Sequence, residues 1–202
     1  MEANTRVEAI KKGATRRMVG TMTLPGVPGL NRMTFTSKAP NSYHMRLDIP
    51  GFGGSSEGCD GKIVWTNNSL EGTVRLAGEK LELKRRDSSY YRYFNFESEF
   101  VTLAYEGREA WLGKSCDVVK GTDRKGRKEL LYFDARTDLL SLVKRPDSSI
   151  QLSDYRKVQG VQMPFSVVVV ATGKEGVSLT MKIEQVRFGD EVDDALFAMP
   201  KE

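Results

Sequence analysis

Catalysis by side chains needs a nucleophile beside its base, a bound metal, or an acid and a base within bonding distance. Few residues in this sequence could do such work: one histidine, His44, two cysteines, Cys59 and Cys116, and scattered aspartates. His44 sits between Tyr43 and Met45 in an alternating stretch, and no GxSxG elbow exists to bring a serine to it. It reads as a polar-face residue of a strand. The cysteines form no CxxC and have no histidine near them in sequence, so the roughly four N or S ligands of a structural zinc are not supplied. Two buried free thiols are the simpler reading, and a disulfide between them would need an oxidising compartment. Asp60, Asp134, Asp138, Asp154, Asp193 and Asp194 make no DxDxDG calcium pattern and fall where turns favour aspartate. GFGGSSEG lacks the GK[ST] of a phosphate cradle and reads as a mobile connection between strands. The basic tip KGTDRKGRKE has no interleaved aromatics, and 31 basic residues against 27 acidic ones give only a modest net charge of +4. The expectation is a protein that is not an enzyme, holds no metal or cofactor and binds no nucleic acid.

The elements that position these residues are mostly strands. From Lys128 to Phe188 the chain reads KELLYFDARTDLLSLVKR, IQLSDYRKV, VQMPFSVVVVAT and VSLTMKIEQVRF, apolar or alternating segments separated by Asp, Gly, Ser or Pro. The connections are too short for crossover helices, so neighbouring strands must pair antiparallel. Upstream, Arg16 to Leu24, Asn31 to Ser37 and Tyr43 to Ile49 alternate in the same way, Ile63 to Trp65 makes a short strand, and Phe100 to Leu112 and Lys114 to Lys120 follow. The sum is roughly ten or eleven strands in a single domain spanning residues 1–202. Pro164 predicts an edge or a bulge. DDALFAMP predicts a turn that tucks Leu196 and Phe197 onto the sheet.

Helix signals occur twice. Val7, Ala9 and Ile10 suggest a short N-terminal helix over residues 1–14 that stops at Gly13. Leu83, Tyr90, Tyr91 and Phe94 fall on a helical stripe, which predicts one amphipathic helix over 79–96 as the cover of the sheet. No apolar run approaches the ~18 residues of a membrane span. The opening MEANTRVEAIKKGATRR stays polar and charged, so an envelope location would require an export signal removed upstream of it.

A wide sheet with so little helix leaves an apolar face to be hidden. Its inventory is rich in methionine, an adaptable side chain: Met18, Met22, Met33, Phe35, Met45 and Leu47 in the first strands, and Met163, Phe165 and Met181 near the end. These residues, with Leu83, Tyr90, Tyr91 and Phe94 of the cover, are the predicted lining of a site for an apolar ligand.

The ordered succession FTSKAPNSYHMRLD, EGCDGKIVW, LYFDARTDLL, DYRKVQGVQMPFSV and DDALFAMP, from about Arg17 to Pro200, resembles the LolA-like, outer-membrane lipoprotein-sorting superfamily of bacterial envelope proteins. The resemblance implies a mainly β (α+β) fold: an unclosed antiparallel β-barrel of about eleven strands with one or two covering helices. It implies a periplasmic, non-enzymatic carrier for a lipid or lipoprotein acyl chain, working with membrane-associated donor or acceptor proteins and not itself spanning a membrane. The alternative within the same fold is a sensor or scaffold domain that binds a partner protein and carries no lipid. A hydrolase centred on His44 is the reading from a different class.

Overall fold

The structure, a computed structural model, describes residues 14–92, 94–173 and 178–200. Thirteen strands form one antiparallel sheet that does not close. The first meander comprises β1 (Thr15–Leu24), β2 (Val27–Lys38), β3 (Ser42–Ile49), β4 (Gly53–Asp60), β5 (Val64–Asn68) and β6 (Gly72–Arg75). The second comprises β7 (Thr102–Trp111), β8 (Lys114–Thr122), β9 (Lys128–Asp134), β10 (Leu140–Lys144), β11 (Ser148–Val158), β12 (Val161–Ala171) and β13 (Ser178–Phe188). Within each meander every strand pairs with its neighbour in sequence. The two meanders join where β1 pairs with β13, so the ends of the β chain meet at the centre of the sheet and β6 and β7 form its edges. The predicted N-terminal helix over 1–14 lies outside the described residues, save its last position.

Cross-strand register divides the side chains between two faces. On the inner face Met18 opposes Phe35 and Phe35 opposes Met45, while Gly20 opposes Met33 and Met33 opposes Leu47. On the outer face Thr36 opposes His44, and His44 opposes Gly58, which faces Trp65. The C-terminal 3-10 turn Asp194–Phe197 packs on this outer side: the Trp65 indole donates to the Phe197 carbonyl at 3.0 Å and Lys38 pairs with Asp194 at 2.7 Å. Phe197 is buried as expected, but Leu196 is exposed, because the single 3-10 turn directs only one of the two inward.

The strand count exceeds expectation because GGSSEGCD, read as a mobile loop, is β4, and GTVR is β6. β4 is poor in the β-branched and aromatic residues that signal strands. It forms because it completes a ladder with β3 along its whole length, and because Gly58 leaves the space that the Trp65 ring occupies. Pro164 is in a central strand and not at an edge. The ladder from β12 to β13 runs only from Ser166 to Val170, so the missing N–H of Pro164 falls beyond it.

The edge strand β7 is exposed along nearly all its length, including Leu103 and Tyr105. Its pairing with β8 is interrupted between Tyr105 and Gly107, where Gly107 has φ +113°, a conformation that favours glycine. Its charges are matched by β8: Arg108 pairs with Asp117 at 2.9 Å, and Glu106 with Lys120.

A Cβ at Gly58 would lie 2.4 Å from a Trp65 ring carbon. Gly58→Ala is therefore expected to displace the buried indole and destabilise the fold by about 1–3 kcal/mol. The urea midpoint should fall and tryptophan emission should shift to the red in the native state.

Candidate ligand-binding face

The chain between β6 and β7 crosses the inner face of the sheet as a cover. It contains helix α1 (Gly78–Asp87), a run of turns, and helix α2 (Phe96–Glu99). The predicted single helix over 79–96 thus ends at Asp87. At Ser88 the backbone N–H turns back to Lys84 and the hydroxyl donates to the same carbonyl, a local alternative that serine offers to continued helix. Glu79 in the first turn of α1 and Lys84, Arg85 and Arg86 in the last suit the helix dipole. No side chain of α1 is fully buried. Leu81 packs half-buried with Tyr43, Cys59 and Val64, whereas the predicted Leu83 joins none of the apolar clusters among the described residues.

The apolar grip of the cover comes instead from residues after α1. Tyr90 is fully buried, with Tyr91 and Phe94 packed beside it. Phe96 meets Phe133 edge to face at 5.7 Å, and Phe100 lies over Gly121. Beneath Tyr90 the sheet brings Met22, Met33, Leu47, Met163 and Phe165 into one buried cluster, with Met18, Met45 and Met181 half-buried against it. Phe35 stacks on Tyr43 at 6.0 Å and belongs to the neighbouring cluster under Leu81. Twelve of the predicted lining residues, all but Leu83, therefore meet on this face. Sequence reading missed Val161, Ile183, Val186 and Phe188 of the same cluster. In this closed form the face is filled by its own side chains and its cover. Two open clefts, of about 520 and 420 Å³, lie elsewhere, at Thr15 with Asp190–Asp193 and at Leu30 with Pro50, and neither contains a predicted lining residue.

Charge fastens the cover at both sides. Over β3 and β4, Lys84 pairs with Glu57 at 2.8 Å, Glu57 also accepts the Tyr43 hydroxyl at 2.8 Å, and Arg85 donates to the Gly61 carbonyl. Over β9 and β10, three guanidinium groups surround the buried Glu129: Arg92 at 2.8 Å, Arg145 at 3.1 Å and Arg86 at 3.5 Å. Asp87 completes the network through Arg145 at 3.1 Å and Arg86 at 3.1 Å. Burial alone would raise the Asp87 carboxyl. Arg145, Arg92 and Arg86 outweigh it and hold Asp87 below the usual carboxylate range.

The other chemistry-bearing residues do not assemble. His44 is on the outer face, 5.8 Å from the Trp65 ring, and burial with Arg46 nearby pushes its pKa down. Cys59 and Cys116 are buried free thiols in separate clusters, both pushed up by burial. No group of three or more metal-ligating side chains exists among the described residues, and no helix among them is long and apolar enough to cross a membrane.

The fold is LolA-like. A DUF1329 family protein from Desulfovibrio piger superposes with a TM-score of 0.69 at 14% identity, covering 98% of this chain and 95% of that one. A putative outer membrane lipoprotein-sorting protein domain from Vibrio parahaemolyticus gives 0.68 at 13% identity over 97% and 94%. A LolA superfamily protein from Nitrosomonas europaea gives 0.63 at 14% identity over 96% and 97%. No protein-family model matches the sequence, and no curated protein does.

Removing the charge of Glu129 leaves three guanidinium groups in one buried place, a change of the kind that costs about 3–5 kcal/mol. Glu129→Gln should lower the urea midpoint accordingly and speed amide exchange across 78–100 ahead of the sheet. Because the Asp87 pKa is depressed in the folded protein, its stabilising effect is complete above its ordinary value of about 3.9 and is lost as pH falls through the folded value. Thermal unfolding between about pH 5 and pH 2 should therefore fall less steeply in Asp87→Asn than in the native protein.

Proposed function

We propose that the protein is a non-enzymatic carrier that shelters a lipid or lipoprotein acyl chain between the inner face of its sheet and the cover. The observation that carries this reading is the mismatch between the two surfaces. The face is a methionine-rich apolar field, while helix α1 of the cover, beside it over Tyr43, Cys59 and Val64, has no fully buried side chain and is fastened by ion pairs through Lys84 and Arg86. A cover held in this way can leave without unfolding the sheet, and a hydrocarbon chain can take the place of Tyr90, Tyr91 and Phe94. Each buried methylene returns ~0.8 kcal/mol, so ~12 of them supply on the order of 10 kcal/mol against the contacts displaced. Methionines can repack around chains of different shape.

The likeness to lipoprotein-sorting and LolA superfamily structures supports this use of the fold. It also supports an exported, periplasmic protein that exchanges cargo with membrane-associated donor or acceptor proteins. A second reading, a sensor or scaffold that binds a partner protein, has one observation in its favour: the face is closed by its own side chains.

The test uses delipidated full-length protein and a neutral chain, dodecanol, competing with a fluorescent fatty alcohol, alongside native mass spectrometry after exposure to a bacterial lipid extract. The carrier reading expects saturable displacement and a retained hydrocarbon adduct. Absence of both would leave the scaffold reading.

A further inference from the structure

One cation on the inner face has no counterion among the described residues. Arg16 of β1 alternates with Met18 and so points to the same side of the sheet, where its guanidinium lies 5.3 Å from the Tyr90 ring and 5.9 Å from the Phe35 ring. Its Nε is buried and makes no hydrogen bond, and no carboxylate among the described residues pairs with it. Ser37, directly opposite in the β1–β2 register, is wholly buried and its hydroxyl is likewise without a partner. Two neighbouring buried polar atoms, the Arg16 Nε and the Ser37 hydroxyl, thus lack partners at one spot, and Arg16 is half-buried without a carboxylate where Arg92 has Glu129 and Glu99. Burial pushes the Arg16 pKa down, and Tyr90 offsets this only in part. A buried charge left unpaired is costly, and orphaned groups of this kind in a native fold call for an explanation.

Position supplies one. Arg16 lies where the cover is tied to the sheet, by the Tyr90 N–H to the Pro40 carbonyl at 3.1 Å and the Tyr90 hydroxyl to the Thr15 carbonyl at 3.3 Å. From Arg16 the apolar column runs along β1 through Met18 and Met22, flanked by Met33 on β2 and by Ile183 and Met181 on β13. Six residues of strand make a track about 20 Å long, with a cation at its head and hydrocarbon along its length.

We propose that Arg16 is the headgroup subsite of this face and that the ligand is an anionic amphiphile, its carboxylate or phosphate on the Arg16 guanidinium and its chain on the methionine track. This rests on the acyl-chain reading above and adds the charge of the ligand to it. The planar guanidinium, set beside two rings, carries donors in the geometry that recognises an oxyanion.

The experiment compares dodecanoate, dodecyl phosphate and dodecanol as competitors for the fluorescent fatty alcohol at about pH 8, where both headgroups are charged. In the native protein one or both anions are expected to bind about tenfold tighter than the alcohol, and the tighter of the two identifies the headgroup. In Arg16→Met the preference should vanish while dodecanol binding persists, and Arg16→Lys should restore part of it. Equal affinity of the native protein for all three ligands would overturn the headgroup subsite and leave the acyl-chain reading standing. Competition by acetate or inorganic phosphate alone as strong as by the long-chain anions would overturn the amphiphile. Failure of every chain to bind would overturn both readings together. The comparison within the native protein stands even if a variant does not fold.

Discussion

The cover of this sheet is anchored on one buried carboxylate. Glu129 gathers Arg92, Arg86 and Arg145, and two of these come from the segment that covers the sheet. The same segment is held on its other side by Lys84 on Glu57 and by the buried Tyr90. Its helix is mostly polar, so the hydrophobic effect holds the segment through Leu81 and a handful of aromatic side chains beyond the helix C-terminus. A buried ion cluster is a weak source of net stability but a demanding one, since each member needs all the others in place. It therefore defines a single closed position more than it deepens the energy of that position.

The sheet beneath it is organised around the pairing of its first and last strands. Because β1 and β13 meet at the centre, residues far apart in sequence form one apolar field, with Met22 opposite Met181 and Gly20 opposite Ile183. Local meanders build the two wings, and a single long-range pairing joins them. Loop closure makes that contact the entropically costly one to form. The face under the cover is thus complete only when β1 and β13 have paired.

Period-two alternation made most of this legible. It placed Met18, Met22, Met33, Phe35, Met45 and Leu47 on one side, and register confirms that they share a face. It failed at bulges. In β13, Ile183 opposes Gly20 while Gln185 opposes Val19, and the extra residue carries Val186 and Phe188 to the face of Ile183, where strict alternation sends them to the other. It failed for β4, where Gly58 is demanded by Trp65 from a neighbouring strand. The cover was recognisable from its aromatics, but their helical spacing was coincidental, since turns present them. The ion cluster was invisible in sequence because Glu129 and Arg145 sit on different strands and meet the cover only in three dimensions.

A sheet that stops short of a barrel ends in rows of unsatisfied amides, and such rows recruit strands from other molecules. The short β6 offers little length for that, but β7 offers ten residues. The irregularity at Gly107 interrupts it midway, so an incoming strand would lose its place after a few hydrogen bonds, and the charges on either side are already neutralised within the molecule. One misaligned glycine thus shortens the stretch of open rim that a foreign strand could read in register.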